Sequence, residues 1–183
     1  MRTMKSISNK AKFAFIGLLF IGFSALAQNA EQQEIIDDAE NARQAFIAED
    51  PGIEQLFTSS EGYVIFPNVG KGAYIVGGAS GNGAVYQQGE LIGMADLKQL
   101  DVGLQLGGQA FSQVIFFGNE AALEEFKNGE FELSGTASAV ALEEGAAETI
   151  RFEDGVAVVT LPKAGAMLEI SVGGQKFEFE PLK

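Results

Sequence analysis

The sequence predicts an α+β fold: N-terminal helices, then a Gly-rich, strongly curved or barrel-like, mostly antiparallel sheet with one inserted helix. Three observations carry that expectation. Apolar residues recur at helical spacing over residues 31–58 and give way to strand-like runs from residue 62 onward. Glycine supplies 23 of the 183 residues, well above the ~7% of an average protein, and is scattered among the β-forming runs. Between two such runs, Glu120 to Lys127 returns to a helical pattern.

Residues 1–27 read as a secretory signal peptide that precedes the fold. Arg2, Lys5, Lys10 and Lys12 form a basic start, Phe13 to Leu26 is uncharged and mostly apolar, and Ala25-Leu26-Ala27 is an A-x-A cleavage site. The apolar run is short against the ~20 residues of a membrane-spanning helix. There is no Cys to form a lipobox. The expected protein is therefore exported, periplasmic or extracellular, with residues 28–183 as a single domain. Four of the 12 basic residues fall in the leader, which leaves 8 against 25 acids and a net charge of −17 in place of −13.

Within that domain, Ile35, Ala39, Ala42 and Phe46 lie on one helical stripe of residues 31–49. Carboxylates occupy the other faces, so packing on a sheet is expected. A membrane-surface helix would carry Lys and Arg on its polar face. Asp50-Pro51 reads as an N-cap followed by Pro at the first helical position of a second, short helix, with Ile53, Leu56 and Phe57 inward. Tyr63 to Phe66 is an apolar run closed by Pro67-Asn68. Strand-like runs follow at 73–77, 83–88, 90–94, 101–106 and 111–117, with Gln88-Gly89 as a turn. Gly118-Asn119 caps the inserted helix and Gly129 stops it. Strands resume at 130–142, 155–161, 166–172 and 176–180. Glu153-Asp154-Gly155 and Gly173-Gly174 are turn signals. Leu104 to Phe111 and Ile170 to Phe177 share a Gly-Gly-Gln-x-Phe pattern, a partial internal echo.

Composition closes most routes to catalysis. The chain has no His, Cys or Trp, hence no imidazole base, no thiolate, no disulfide and no zinc-thiolate site. Its acidity repels phosphate backbones, so nucleic acid is excluded as a partner. Gly70-Lys71-Gly72 lacks the spacing of a phosphate-binding loop. Ser80 lacks the second Gly of a nucleophile elbow, because Asn82 stands there. The acid pairs Asp37-Asp38, Glu124-Glu125, Glu143-Glu144 and Glu153-Asp154 are adjacent in sequence and point apart, as a solvated surface does. No calcium-loop spacing occurs. No catalytic residue, metal site or cofactor is expected.

Gly62 to Tyr86 (GYVIFPNVGKGAYIVGGASGNGAVY) resembles the signature of the SYLF domain family, also catalogued as a yeast-type actin-binding domain and, in bacteria, as lipid-binding exported proteins. Asp101 to Gln109 is similar to that family's Gly-Leu-Gln strand. Phe116-Phe117 with Glu120 to Phe126 is similar to its strand and helix, and Gly165 to Gly174 to a later segment. The resemblance implies a non-enzymatic lipid-binding domain, with phosphoinositides and, in eukaryotic members, actin as ligands. Phe66, Lys71 and Tyr74 fall on motif positions and are the lipid-contact candidates. Phe66 and Tyr74 also read as core positions. The first helix departs from the family's basic segment: Arg43 is its only basic residue, which opposes phosphoinositide recognition through it. Actin has no place beside an exported bacterial-type chain. The expected function is lipid binding or envelope association. The alternative is a structural or protein-interaction module of the envelope that binds no lipid.

Overall fold

The computed structural model describes residues 30–70, 78–100, 110–133, 139–163, 172 and 174–182. The expected leader, Lys71, Tyr74, the runs at 73–77 and 101–106 and all but Val172 of the run at 166–172 lie outside them. The α+β expectation holds: three helices accompany an eight-stranded, curled half-barrel sheet, with one helix inserted among the strands.

Helix α1 covers 30–49. Residues 35–183 form one compact unit, in which Ala39, Ala42 and Phe46 are buried along the expected stripe. Asp50 caps the next helical segment. Its carboxylate accepts the Gly52 N–H at 2.9 Å, and Pro51 opens a 3-10 turn, Pro51–Ile53, that runs into α2 (Glu54–Ser59).

Four strands come next: β1 (Gly62–Gly70), β2 (Gly78–Gln87), β3 (Glu90–Leu100) and β4 (Ala110–Phe117). After them lie α3 (Glu120–Lys127), β5 (Glu132–Leu133), β6 (Val140–Ala141), a 3-10 turn (Ala146–Thr149), β7 (Val156–Pro162) and β8 (Gln175–Pro181). Their order in the sheet is β5-β8-β3-β2-β1-β4-β7-β6. Every described ladder is antiparallel except β6 with β7. Gln88 and Gly89 both have positive φ (51° and 82°), the geometry of the two-residue turn that joins β2 to β3.

Four boundaries differ from expectation. β2 begins at Gly78 rather than at residue 83 and runs through Gly81-Asn82-Gly83, read from the sequence as a break between two runs. β1 does not stop at Pro67-Asn68 but crosses them with a register shift between Phe66 and Val69. Pro67 has no N–H to give the ladder, and its carbonyl is satisfied by the Ser112 hydroxyl at 2.8 Å. β3 continues through Asp96 and Lys98, because those side chains alternate outward while Ala95, Leu97 and Gln99 stay buried. Of the run expected at 130–142, the described residues contribute β5 and β6, in place of a single strand; 134–138 lie outside them.

The central strands are buried on both faces. Tyr63, Ile65, Val114 and Phe116 face one core with Phe46, Ile53 and Phe57 of the N-terminal helical segment. Val64, Phe66, Ile115 and Phe117 face the other core with Leu123 and Phe126 of α3 and Phe177 of β8. Strands packed on both sides read as continuous apolar runs, which accounts for YVIF and FSQVIFF.

The second face is the concave one. β4 and β8 are four strand steps apart in the sheet, about 19 Å if it were flat. Yet Gln113 of β4 and Gln175 of β8 meet side chain to side chain. Gln113 Nε2 donates to Gln175 Oε1 at 2.8 Å, and Gln175 Nε2 donates back to Gln113 Oε1 at 3.0 Å. Phe66 of β1 and Phe177 of β8 likewise stand 5.7 Å apart between ring centroids. Only a strongly curled sheet allows both contacts. Helix α3, capped by the Asn119 side chain on the Ala122 N–H at 3.0 Å, fills the hollow. Its Phe126 lies 5.0 Å from Phe117 and 5.6 Å from Phe177. One glycine shows how tightly the strands approach. A Cβ on Gly83 would stand 2.6 Å from the Ile65 carbonyl oxygen and 2.7 Å from the Phe66 ring.

The amide pair gives a stability test. Gln113→Leu leaves the Gln175 amide without its principal partner in a dry interior, a loss of about 2 kcal/mol. The double variant Gln113→Leu/Gln175→Leu is expected to lose less than the two single variants together. Denaturant unfolding of the four proteins measures that coupling, and strict additivity would show that the pair carries none.

Candidate functional site

Among the described residues the terminal strands β5 and β6 each have a ladder neighbour on one side only. The curl brings them to the two sides of one cleft of about 620 Å³, lined also by β7, by the end of the 3-10 turn and by the residues after α3. This is the open side of the half-barrel. Its apolar floor is Phe131, Leu133, Val140, Ile150, Val156 and Val158. Phe131 is half-buried and packs on Phe117, Phe126 and Phe177, so the floor is continuous with the inner core. Leu133, Ile150 and Val158 are themselves buried, so the cleft's apolar contact comes mainly from Phe131, Val140 and Val156, and polar groups supply the larger part of its lining.

The rim is acidic. Glu125, Glu130, Glu132, Glu153 and Asp154 all line the cleft and are exposed. Glu132 pairs with Lys176 at 2.7 Å across the β5–β8 ladder. Among the described residues Arg151 is the one base on the rim, and its Nη1 donates to the carbonyls of Glu148 at 2.6 Å and Ile150 at 2.8 Å. Its charge is thus held against its own backbone turn.

One wall of the cleft depends on a remote carboxylate. Asp50, only 6% exposed, accepts the Ala147 N–H at 2.7 Å in addition to the Gly52 N–H. It thereby ties the turn that leads to Thr149 and Ile150 to the start of the α2 segment. The Ala147 bond, followed by the Gly52 bond, holds the Asp50 carboxyl below its ordinary value of 3.8.

Two smaller hollows flank the fold. One of about 410 Å³ adjoins the cleft at Phe131 and Glu132, where Lys127 is paired with Glu124 at 2.5 Å. The other, about 390 Å³, lies between α1 and the ends of β1 and β7. There Lys163 meets the Asn68 amide oxygen, and the Asn68 amide donates to Asp38 at 3.1 Å.

Of the residues expected to contact lipid, Phe66 is fully buried in the inner core against Phe177. Lys71 and Tyr74 lie outside the described residues. Arg43 of α1 lies over the Phe57 ring at 5.2 Å and pairs with Glu40 at 3.4 Å, so its charge serves the outer core. Beside it Tyr63 and Tyr86 stack at 5.0 Å, and burial is the main reason the Tyr86 hydroxyl is pushed up to about 12. Ser80 is a strand residue of β2 opposite Gly70 and Lys98. Among the described residues no three carboxylates gather as a metal site would require. The cleft residues escaped the sequence reading. Phe131 and Leu133 sat inside a supposed single strand, and Glu153-Asp154 read as a turn on a solvated surface. The spacing of Phe131 and Leu133 beside exposed acids was the available signal.

Comparison with known proteins finds no matching family model and no matching curated relative.

The Asp50 linkage has a defined sign. Its folded value is depressed, so its contribution is complete above the unfolded value near 3.8 and is lost as pH falls through the folded value. Asp50→Asn is expected to lower the Tm at pH 7, and the gap to the parent protein should narrow progressively below about pH 4. Thermal melts of both proteins across pH 2 to 7 check this; a gap that does not vary with pH would refute it.

Proposed function

We propose that this chain is an exported, non-enzymatic domain of the SYLF type that associates with lipid by taking an apolar chain into the open side of its half-barrel. The observation that carries the reading is the 620 Å³ cleft with its floor of Phe131, Leu133, Val140, Ile150 and Val158. The inner hollow behind it is filled by Phe66, Phe126 and Phe177, so the lateral cleft is where an acyl chain finds apolar contact. Export rests on the basic start, the apolar run and the Ala25-Leu26-Ala27 site. A non-enzymatic role rests on the lack of His and Cys in the whole chain. It also fits the exposed, splayed carboxylates of the rim. No described helix is long and apolar enough to cross a membrane, so association would proceed through the folded domain. Phosphoinositides and other anionic surfaces fit poorly, because the rim is acidic and Arg43 is engaged with Glu40 and Phe57.

A second reading is an envelope module whose cleft receives a partner protein. Its support is that β5 and β6, the two ends of the sheet, both border the cleft.

Vesicle co-sedimentation of the exported protein tests the first reading. Zwitterionic vesicles are expected to retain it, with no gain from added anionic lipid. Phe131→Asp should reduce the bound fraction about tenfold, as losing ~1.5 kcal/mol of apolar contact predicts, with an unchanged circular-dichroism spectrum. The mass of the exported protein should correspond to a start at Gln28. Failure to sediment with any vesicle would remove the lipid reading; a retained leader would remove export.

A further inference from the structure

We infer that the cleft on the open side of the half-barrel selects an amphiphile with a single apolar chain and a cationic, ammonium-type headgroup. This rests on the lipid reading above and names the chemistry of its ligand. Chain and headgroup are specified by different parts of the cleft. The floor is aliphatic and aromatic and opens directly onto the buried inner core through Phe131. The rim adds Glu125, Glu130, Glu153 and Asp154, all exposed. Among the described residues none of the four is joined to a base in an ion pair of 4 Å or less. Glu132 is the rim acid already neutralised, by Lys176. Arg151 offsets only part of this charge: one guanidinium, bonded to the carbonyls of Glu148 and Ile150, stands against four unpaired carboxylates, so the rim keeps an excess of acid. An anionic headgroup seated here would meet several like charges within a Debye length, whereas an ammonium would meet several opposite ones.

A basic peptide has the same charge, but the strands do not suit it. Strand addition draws its affinity from a row of main-chain hydrogen bonds. Among the described residues β5 and β6 offer two residues each, few main-chain partners for an added strand. The apolar floor with a charged rim suits a chain with one charged end better than an extended backbone.

Three twelve-carbon probes below their micelle concentrations separate the outcomes in a calorimetric titration: dodecyltrimethylammonium, dodecyl maltoside and dodecyl sulfate. The ammonium probe is expected to bind saturably and at least tenfold more tightly than the maltoside, and the sulfate not to bind. Glu153→Gln/Asp154→Asn should bring the ammonium and maltoside affinities within a fewfold of one another. Glu143→Gln/Glu144→Gln removes the same two charges from exposed positions that do not line the cleft, and should leave the preference unchanged. If both double variants reduce the preference equally, the effect belongs to the net charge of the chain and the inference falls. If maltoside binds as tightly as ammonium, the headgroup inference falls and the lipid reading stands. If no probe binds, both fall. A peptide of alternating Lys and Val that displaces the ammonium probe at lower concentration would assign the cleft to a protein partner and overturn the inference. Thermal melts confirm that each variant is folded.

Discussion

The contact between Gln113 and Gln175 sets a condition that the rest of the molecule has to meet. Two strands separated by three others touch through side-chain amides, so the sheet must curl through most of a barrel. Curling buries the concave face, Gln113 and Gln175 included, and there a lone amide would be costly. The two amides answer by satisfying each other in both directions. Gln175 also donates to Gln99 of β3, at 3.4 Å. The hollow on the same concave face is taken up by aromatic rings. Phe66, Phe117, Phe126, Phe131 and Phe177 form a connected set of ring contacts. Helix α3 is therefore not an ornament between strands. It supplies Leu123 and Phe126 to a space that the strands alone leave empty.

Curling also decides where an opening lies. Among the described residues the eight-stranded sheet ends at β5 and β6, its two shortest strands. Short edges lower the hazard of pairing with another chain, but they leave the flank of β7 and the segment after α3 thinly covered. The cleft is the result. Its apolar floor joins residues of both cores seen from the side, and its acidic rim is drawn from α3, β5 and the segments beside them. The Asp50 bond to Ala147 shows that one wall is tied to the outer layer. Packing on the convex face and the shape of the opening are thus mechanically linked.

Much of this order was legible in the residues. Ile35, Ala39, Ala42 and Phe46 marked α1 because a helix against a sheet needs one apolar stripe. Asp50-Pro51 and Asn119 marked helix starts through side-chain oxygens that only those residue types place correctly. YVIF and FSQVIFF marked β1 and β4, since strands buried on both faces lose their alternation. The hidden features depended on contacts between distant segments. Asp96 and Lys98 broke the apolar pattern of β3, although their side chains simply lie on its exposed side. Pro67 read as a stop because it has no N–H for a ladder, and the Ser112 hydroxyl that satisfies its carbonyl is 45 positions away. Gln113 and Gln175 read as neutral polar residues of strands. Nothing local distinguishes a glutamine that faces water from one that meets its partner across a hollow. The cleft was hidden for the same reason: Phe131, Ile150 and Val158 become neighbours only after the sheet has curled.

The acidity acquires a different meaning once the cleft is placed. As a bulk property it opposes phosphate-bearing partners and anionic membranes, which a family resemblance built on lipid binding would otherwise favour. As a local property it is concentrated around an apolar opening. Of the basic residues near the opening, Lys127 and Lys176 are paired with Glu124 and Glu132, and Arg151 is bonded to carbonyls. The charges left to face a ligand there are predominantly negative. On the proposed lipid reading the rim alone sets the sign of the headgroup, because the fold rests on the core and the buried amides. The rim acids are exposed side chains outside the core, so their charge is free to vary without disturbing the curl.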